Sequence, residues 1–125
     1  MLGQTNIIAF VPTKDSQKSR AFYEGTLGLR FVKDDGFALV LDANGIMVRA
    51  VKMKDFTPAQ CTVLGWEVSN IEDVVRELGG KGVHFEIFGF FKQDDLGIWT
   101  TPTGDKVAWF KDPDGNTLSV SQHAA

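Results

Sequence analysis

One order of predicted elements, a strand, a helix and three further strands, occurs twice in this sequence, and this repeat constrains the fold more than any other feature. Asp15 and Asn70 stand where the two predicted helices begin, and both side chains can cap a helix. Gly28 supplies the left-handed residue that ends the first helix, Gly79 and Gly80 end the second, and Gly28 aligns with Gly82 after the helices. Two copies of about 55 to 70 residues are too few and too long for a stacked solenoid. The repeat therefore predicts two paired βαβββ modules.

Alternation of apolar residues and turn-forming clusters sets the expected boundaries of the elements. In the first copy, strands are predicted at residues 6–11, 29–33, 37–41 and 46–53, with Pro12 closing the first strand and the helix capped by Asp15 or Ser16. Ala21, Phe22 and Leu27 are expected to form the apolar side of that helix. In the second copy, strands are predicted at residues 62–68, 83–87, 98–101, 106–111 and 117–122, with a helix at residues 71–78.

Composition excludes several classes of partner. The 125 residues carry a formal charge of -3, with acidic and basic residues interleaved along the chain, so no basic stripe is available for nucleic acid. No apolar run approaches the ~20 residues that a membrane-spanning helix needs. Cys61 is the only cysteine and the N-terminus does not resemble a signal peptide, which makes the cytoplasm the expected location.

Two segments carry a family resemblance. The sequence AFYEGTLGLRFV at residues 21–32 resembles the first-helix signature of the vicinal oxygen chelate superfamily, the glyoxalase and bleomycin-resistance type, and FKDPDGNTLSV at residues 110–120 resembles its last hairpin. The resemblance implies an α+β fold in which two βαβββ modules form a U-shaped mixed sheet around a concave pocket. Module one would cover about residues 1–56 and module two about residues 60–123 of a single domain. It also implies a homodimer.

The same resemblance implies four inward-facing positions that commonly hold a divalent metal in that superfamily. Carried over by register, these positions are Ile8, Arg49, Val63 and Ser119. Two are hydrocarbon side chains, Arg49 is permanently cationic, and a lone serine hydroxyl is a weak ligand. We therefore expect no metal and no other cofactor.

Strand alternation places Arg49 and Glu67 on the expected pocket side, where they could bind a polar ligand, pair with each other, or lie at a solvated rim. Ser119 and Ser121 could offer hydroxyls to a ligand, although polar alternation on a half-exposed strand explains them equally well. Trp66 is expected on the helix side. The faces of Trp99 and Trp109 are left open by the sequence. The candidate ligand-binding residues are Ile8, Arg49, Val63, Glu67, Trp99, Trp109, Ser119 and Ser121.

The segment at residues 88–91, Phe-Gly-Phe-Phe, has neither a turn signature nor strand alternation, and we interpret it as a mobile or ligand-facing loop. Three hypotheses on function follow. The first is a metal-free protein that binds an aromatic or amphipathic small molecule. The second is a lyase, isomerase or dioxygenase with an atypical site, although the sequence offers no matched acid and base. The third is a homodimeric interaction scaffold.

Overall fold

The computed structural model describes residues 1–124, which divide into two compact units, Met1–Pro58 and a second that begins at Ala59. Each unit contains one copy of the repeat, and we call them module one and module two. No helix among the described residues is long and apolar enough to cross a membrane.

Module one is a four-stranded mixed sheet with one helical segment. Its elements are β1 (Ile8–Thr13), α1 (Ser16–Arg20), β2 (Arg30–Asp34), β3 (Ala38–Ala43) and β4 (Ile46–Lys52). The strand order is β1-β4-β3-β2, with β1 parallel to β4 and the other neighbours antiparallel. A short turn of 3-10 helix, Leu2–Gln4, precedes β1.

The first strand runs further than expected, because Pro12 lies inside β1 instead of ending it. Pro12 pairs in register with Val51 of β4. A proline cannot donate to a ladder, but β1 is the edge strand of its sheet, so a missing N–H is tolerated on the open side. The boundary prediction at Val11 was therefore wrong by two residues.

The helical segment of module one changes type along its length. The Asp15 carboxylate accepts a hydrogen bond from the Lys18 amide at 3.2 Å and caps α1, which continues as a π-helix over Ala21–Thr26. The wider turn changes which side chains face the sheet. Tyr23 is fully buried whereas Ala21 is exposed, so the apolar side expected for this helix was misplaced.

Module two repeats the arrangement with a second mixed sheet. Its elements are β5 (Leu64–Glu67), α2 (Ile71–Gly80), β6 (Trp99–Thr100), β7 (Lys106–Lys111) and β8 (Thr117–Gln122), in the strand order β5-β8-β7-β6. The Asn70 side chain caps α2 by accepting from the Asp73 amide at 3.2 Å. The α+β class with two modules, expected from the sequence, is confirmed.

The extended segment expected at residues 83–87 does not form a strand. Its backbone meets β7 at a bridge between Phe85 and Phe110 and in a 2.8 Å hydrogen bond from the Glu86 amide to the Trp109 carbonyl. The Glu86 side chain also lies 3.8 Å from Lys111 of β7. The chain then leaves the sheet and returns as the two-residue strand β6. The residues between Glu86 and Trp99 are thereby free to form a loop.

Candidate functional site

The strand register of module two places five predicted site residues on one face of the sheet. Ser119 of β8 lies between Trp109 of β7 and Gly65 of β5. Ser121 lies between Val107 and Glu67 in the same way. Val107 also pairs with Trp99 of β6. Because cross-strand partners point to the same side, these residues share a face, which we call the aromatic face: Gly65, Glu67, Trp99, Val107, Trp109, Ser119 and Ser121.

The opposite face of this sheet forms the core of module two. Phe110, Leu118 and Val120 are buried there, and α2, which contacts β7 and β8, buries Ile71. Trp66 pairs with Val120 and so belongs to this inner face, as predicted. The side of the sheet predicted for Trp66 and Glu67 is therefore correct in module two. The strand pairing also places Trp99 and Trp109 on the aromatic face.

The loop between Glu86 and Trp99 places phenylalanine rings beside the two indoles. Phe91 stacks on Trp99 with ring centroids 4.2 Å apart, and on Trp109 with centroids 5.3 Å apart and the planes only 3° from parallel. Phe88 meets Trp109 edge to face at 5.4 Å. Phe90 contacts Phe91 at 4.6 Å. We call these five rings the aromatic cluster: Phe88, Phe90, Phe91, Trp99 and Trp109.

The aromatic cluster is not a closed core. Phe90 is 79% exposed, and a depression of about 320 Å³ beside Trp99 is lined by Lys92 and Thr100. A flat apolar surface that keeps one side open to solvent can stack on another ring. The Phe-rich segment was expected to be mobile or ligand-facing. Its association with both tryptophans was not foreseen, because the faces of Trp99 and Trp109 were unassigned.

Small and polar groups lie next to the rings on the aromatic face. The Ser119 hydroxyl occupies the space that a side chain at Gly65 would need, since a Cβ built there would lie 2.7 Å from Ser119 Oγ. Among residues 1–124, the Ser119 hydroxyl has no hydrogen-bond partner and Glu67 forms no ion pair. Ser121 Oγ lies 3.1 Å from His123 Nε2. The face thus combines aromatic rings with the Ser119 hydroxyl, which is available to a ligand, and the Ser121 hydroxyl, which already contacts His123.

Module one presents a different surface around Ile8 and Arg49. Ile8 pairs with Met47 and Phe10 pairs with Arg49, so all four side chains share one face of that sheet. Ile8 is 46% exposed and Phe10 is 58% exposed. A depression of about 410 Å³ lies over this face and is lined by Ile8, Met47, Val40, Val32, Arg30 and Asp42, together with neighbouring residues.

Arg49 has an ionic partner inside module one. Its Nη2 atom lies 2.8 Å from Asp35 Oδ2, and the two side chains are only 23% and 26% exposed. The hydrogen bond from Arg49, followed by those from the Ala38 and Phe37 amides to Oδ1, lowers the pKa of Asp35 to about 2. The sequence offered Glu67 as the internal partner of Arg49. The partner is Asp35, which lies between the strands predicted at residues 29–33 and 37–41 and was not among the candidate residues.

The four positions that the resemblance relates to metal binding do not provide a metal site. Ile8 and Val63 carry hydrocarbon side chains, Arg49 is a paired cation, and Ser119 supplies a single hydroxyl. Within residues 1–124, no three His, Cys, Asp or Glu side chains cluster so as to hold a metal ion. Three strong donors are the usual minimum for a catalytic divalent metal, so the donor chemistry of these positions does not fit one.

Comparison with known proteins agrees with the observed fold. A family model described as Glyoxalase/Bleomycin resistance protein/Dioxygenase superfamily matches residues 5–120. A structure of a superfamily member from Sphaerobacter thermophilus has a TM-score of 0.74 at 21% identity, with 95% of this chain and 97% of that chain covered. A glyoxalase family protein from Enterococcus faecalis gives 0.73 at 21%, covering 97% and 99%. Lactoylglutathione lyase from Agrobacterium tumefaciens gives 0.73 at 15%, covering 95% and 93%. No curated protein sequence matches the chain.

Proposed function

Since the chain belongs to the Glyoxalase/Bleomycin resistance protein/Dioxygenase superfamily, we propose that it is a metal-free binder of flat aromatic small molecules, which it holds on the aromatic face of module two. The observation that carries the proposal is the stack of Phe91 on Trp99 and Trp109 next to the hydroxyls of Ser119 and Ser121. Rings offer stacking to an aromatic ligand, and hydroxyls can orient its polar groups.

Arg49 is not part of this proposal. A guanidinium in the middle of a strand needs a partner, because burying it alone is costly. Asp35 meets that need at 2.8 Å. Ile8 likewise belongs to the sheet of module one, whereas the rings that support stacking belong to module two. The ligand contacts are therefore assigned to module two.

Isothermal titration with two aromatic probes, the flat cation proflavine and the anion anilinonaphthalene sulfonate, tests the proposal. Replacing Trp109 with leucine removes the central ring but keeps an apolar side chain, and we expect about a tenfold loss of affinity for the probe that binds. The matched control is Phe37→Leu, which removes an exposed ring of module one and should leave affinity unchanged. Failure of both probes to bind the unmodified protein would contradict the proposal, as would equal affinity in Trp109→Leu.

The metal-free part of the proposal has its own test. Prolonged dialysis against EDTA should leave probe affinity and the melting temperature unchanged, because the described residues offer no matching donor set. Elemental analysis of untagged protein should find no stoichiometric Zn, Ni, Mn or Fe. A metal at one equivalent per chain, with stability lost on chelation, would overturn this part. Consumption of either probe during the titration would favour the enzyme hypothesis instead.

The exposed apolar side chains of module one favour the scaffold hypothesis as a second candidate. Phe10 and Ile8 lie side by side with Met47 on one open sheet face. Contiguous apolar patches on a soluble protein often mark association surfaces. We propose that this face contributes to a homodimer. Light scattering coupled to size exclusion should give twice the 13.8 kDa chain mass, and Phe10→Ser should shift the protein toward the monomer. A monomer at all concentrations would refute the dimer.

A further inference from the structure

One side chain closes the loop that carries the phenylalanine rings. The Gln93 amide nitrogen, Nε2, donates to the Glu86 carbonyl and to the Gly97 carbonyl, both at 2.8 Å. Its Oε1 atom accepts from the Phe88 amide at 2.6 Å. Two backbone groups from the beginning of the loop and one from its end thus meet at one amide. A glutamine side chain has two N–H donors and a carbonyl acceptor, and each of these is used here.

The backbone of the loop is fixed on the side nearer β6 as well. Gln93 forms an isolated bridge with Trp99, and the Asp94 amide donates to the Ile98 carbonyl at 2.9 Å. Asp94 Oδ1 accepts from the Leu96 and Ile98 amides, both at 2.9 Å. Phe88 and Phe91 are therefore carried on a backbone whose two ends are tied through Gln93.

The hydrogen bonds of Gln93 and Asp94 fix the loop that carries the phenylalanine rings, and burial of those rings is too small to fix it by itself. Phe90 is largely exposed, and Phe88 and Phe91 are only partly buried. A loop anchored solely by apolar contacts of this kind would be expected to sample several ring arrangements. The near-parallel stack of Phe91 on Trp109 instead requires a defined backbone position for residues 88–91.

We infer that Gln93 is a positioning residue for the aromatic cluster, which sets Phe88 and Phe91 against Trp109 and Trp99 and thereby sets affinity for a stacked ligand. The affinity part of this inference rests on the proposed function. The positioning part concerns ring geometry and stands apart from any ligand. A substitution that changes the Gln93 amide and leaves every ring in the chain should therefore change both the arrangement of the rings and the affinity for a stacked ligand.

The test substitution is Gln93→Glu, which preserves size but replaces two N–H donors with an oxygen that faces the Glu86 and Gly97 carbonyls. Near-ultraviolet circular dichroism should lose part of the tryptophan signal that arises from coupled rings. Affinity for proflavine or anilinonaphthalene sulfonate, measured well below the melting temperature, should fall about tenfold, as expected for the loss of a stacking contact.

Two variants of Gln122 serve as controls, because Gln122 Oε1 accepts from the Ile71 amide at the start of α2, away from the aromatic cluster. Gln122→Glu keeps an acceptor and should behave like the unmodified protein. Gln122→Leu loses that hydrogen bond and reports what a comparable loss of stability does by itself. If Gln93→Glu reduces affinity no more than Gln122→Leu, the loss reflects lower stability alone and the affinity part of the inference is wrong.

Circular dichroism and probe affinity together show whether a failed experiment contradicts the inference on Gln93 or the proposed function. An unchanged dichroism signal in Gln93→Glu overturns the positioning role, whatever the affinities are. A changed signal with unchanged affinity overturns the claim that ring position sets binding. If the unmodified protein binds neither probe, the proposed function and the affinity claim both fail, while the dichroism spectra still decide whether Gln93 positions the rings.

Discussion

Module one and module two are built alike but present different chemistry on their open sheet faces. Both helices begin with a carboxylate or amide that caps the third following residue at 3.2 Å, through Asp15 and Asn70. Both helical segments are followed by a glycine with positive φ, +81° at Gly28 and +92° at Gly82. The corresponding faces, however, carry ion pairs in module one and stacked rings in module two.

Two ion pairs of module one converge on its first hairpin, the turn between β2 and β3. Arg49 pairs with Asp35 and Lys52 pairs with Asp34, both at 2.8 Å, and of these two cations Arg49 lies on the open face, since strand alternation places Lys52 on the opposite side of β4. In module two, Ser119 of β8 takes the position that Arg49 has in β4, four residues after a glycine. Its neighbours on the adjacent strands are Trp109 and Gly65. The buried sheet face, the helix caps and the glycines after the helices are alike in both modules and define the fold. The open sheet face of each module can therefore carry either charged side chains or aromatic rings.

The largest losses in the free energy of unfolding should come from substitutions on the buried sheet face of each module. Leu41 and Leu118 are fully buried in module one and module two respectively. Truncation of either to alanine should cost about 3 kcal/mol, because a buried leucine loses transfer free energy and leaves a cavity. Urea unfolding measures the change, with the exposed Leu2→Ala as the control. A large cost in one module and none in the other would break the comparison, since the modules would not share an equivalent core.

The helix caps provide a second, smaller comparison. Asp15→Ala and Asn70→Ala should each lower the free energy of unfolding by about 1 kcal/mol, since each leaves a helix amide without its side-chain acceptor. Thermal melts of the two variants beside Asn70→Asp, which retains a capping oxygen, make the measurement. A stable Asp15→Ala protein would show that the short α1, which continues as a π-helix, does not depend on its cap as α2 does.

Strands with strong local signals were well predicted from the sequence. The bounds of β7 and β8 agree with the prediction because the turn-forming segment at residues 112–115 separates two clear alternating patterns. The end of β1 was wrong, since a sequence does not state that a strand is at an edge where Pro12 is tolerated. Tyr23 was missed because a π-helix changes the 3.6-residue period on which the argument relied.

The candidate site was predictable in part, for a physical reason. Period-two alternation correctly grouped Glu67, Ser119 and Ser121, because their strands are long enough to fix a register. Trp99 belongs to a strand of two residues, so its face depends on pairing with Val107 and not on alternation. Asp35 was not a candidate residue, because its position between two predicted strands indicates no more than a turn. In the structure its Oδ1 atom accepts hydrogen bonds from the Phe37 and Ala38 amides, and its Oδ2 atom accepts one from Arg49. No local signal reports such a dual role.

The substitution Arg49→Met tests whether the open face of module one contributes to stability and not to ligand binding. It leaves Asp35 without its cation, so we expect a lower urea midpoint, by less than the core substitutions produce. Probe affinity should not change, because the proposed ligand contacts belong to module two. Titration with proflavine and anilinonaphthalene sulfonate provides the second measurement. A loss of affinity with intact stability would return Arg49 to the binding site and contradict the division of roles between the modules.

The smallest expected effect is a change in acid stability that originates in module one. The hydrogen bond from Arg49 is the largest cause that holds the pKa of Asp35 at about 2, against an ordinary value of 3.8. A lowered pKa in the folded state means that the unfolded state binds the proton more readily. The stabilisation is therefore complete above the ordinary value and is lost as the pH falls from about 4 toward 2. Asp35→Asn cannot titrate, so its free energy of unfolding should fall less steeply over this interval, as measured by urea unfolding at successive pH values. Arg49→Met should also flatten this part of the curve, because without the guanidinium the folded pKa moves back toward its ordinary value. Identical slopes for all three proteins would show that the Arg49–Asp35 pair contributes nothing to the acid response of module one.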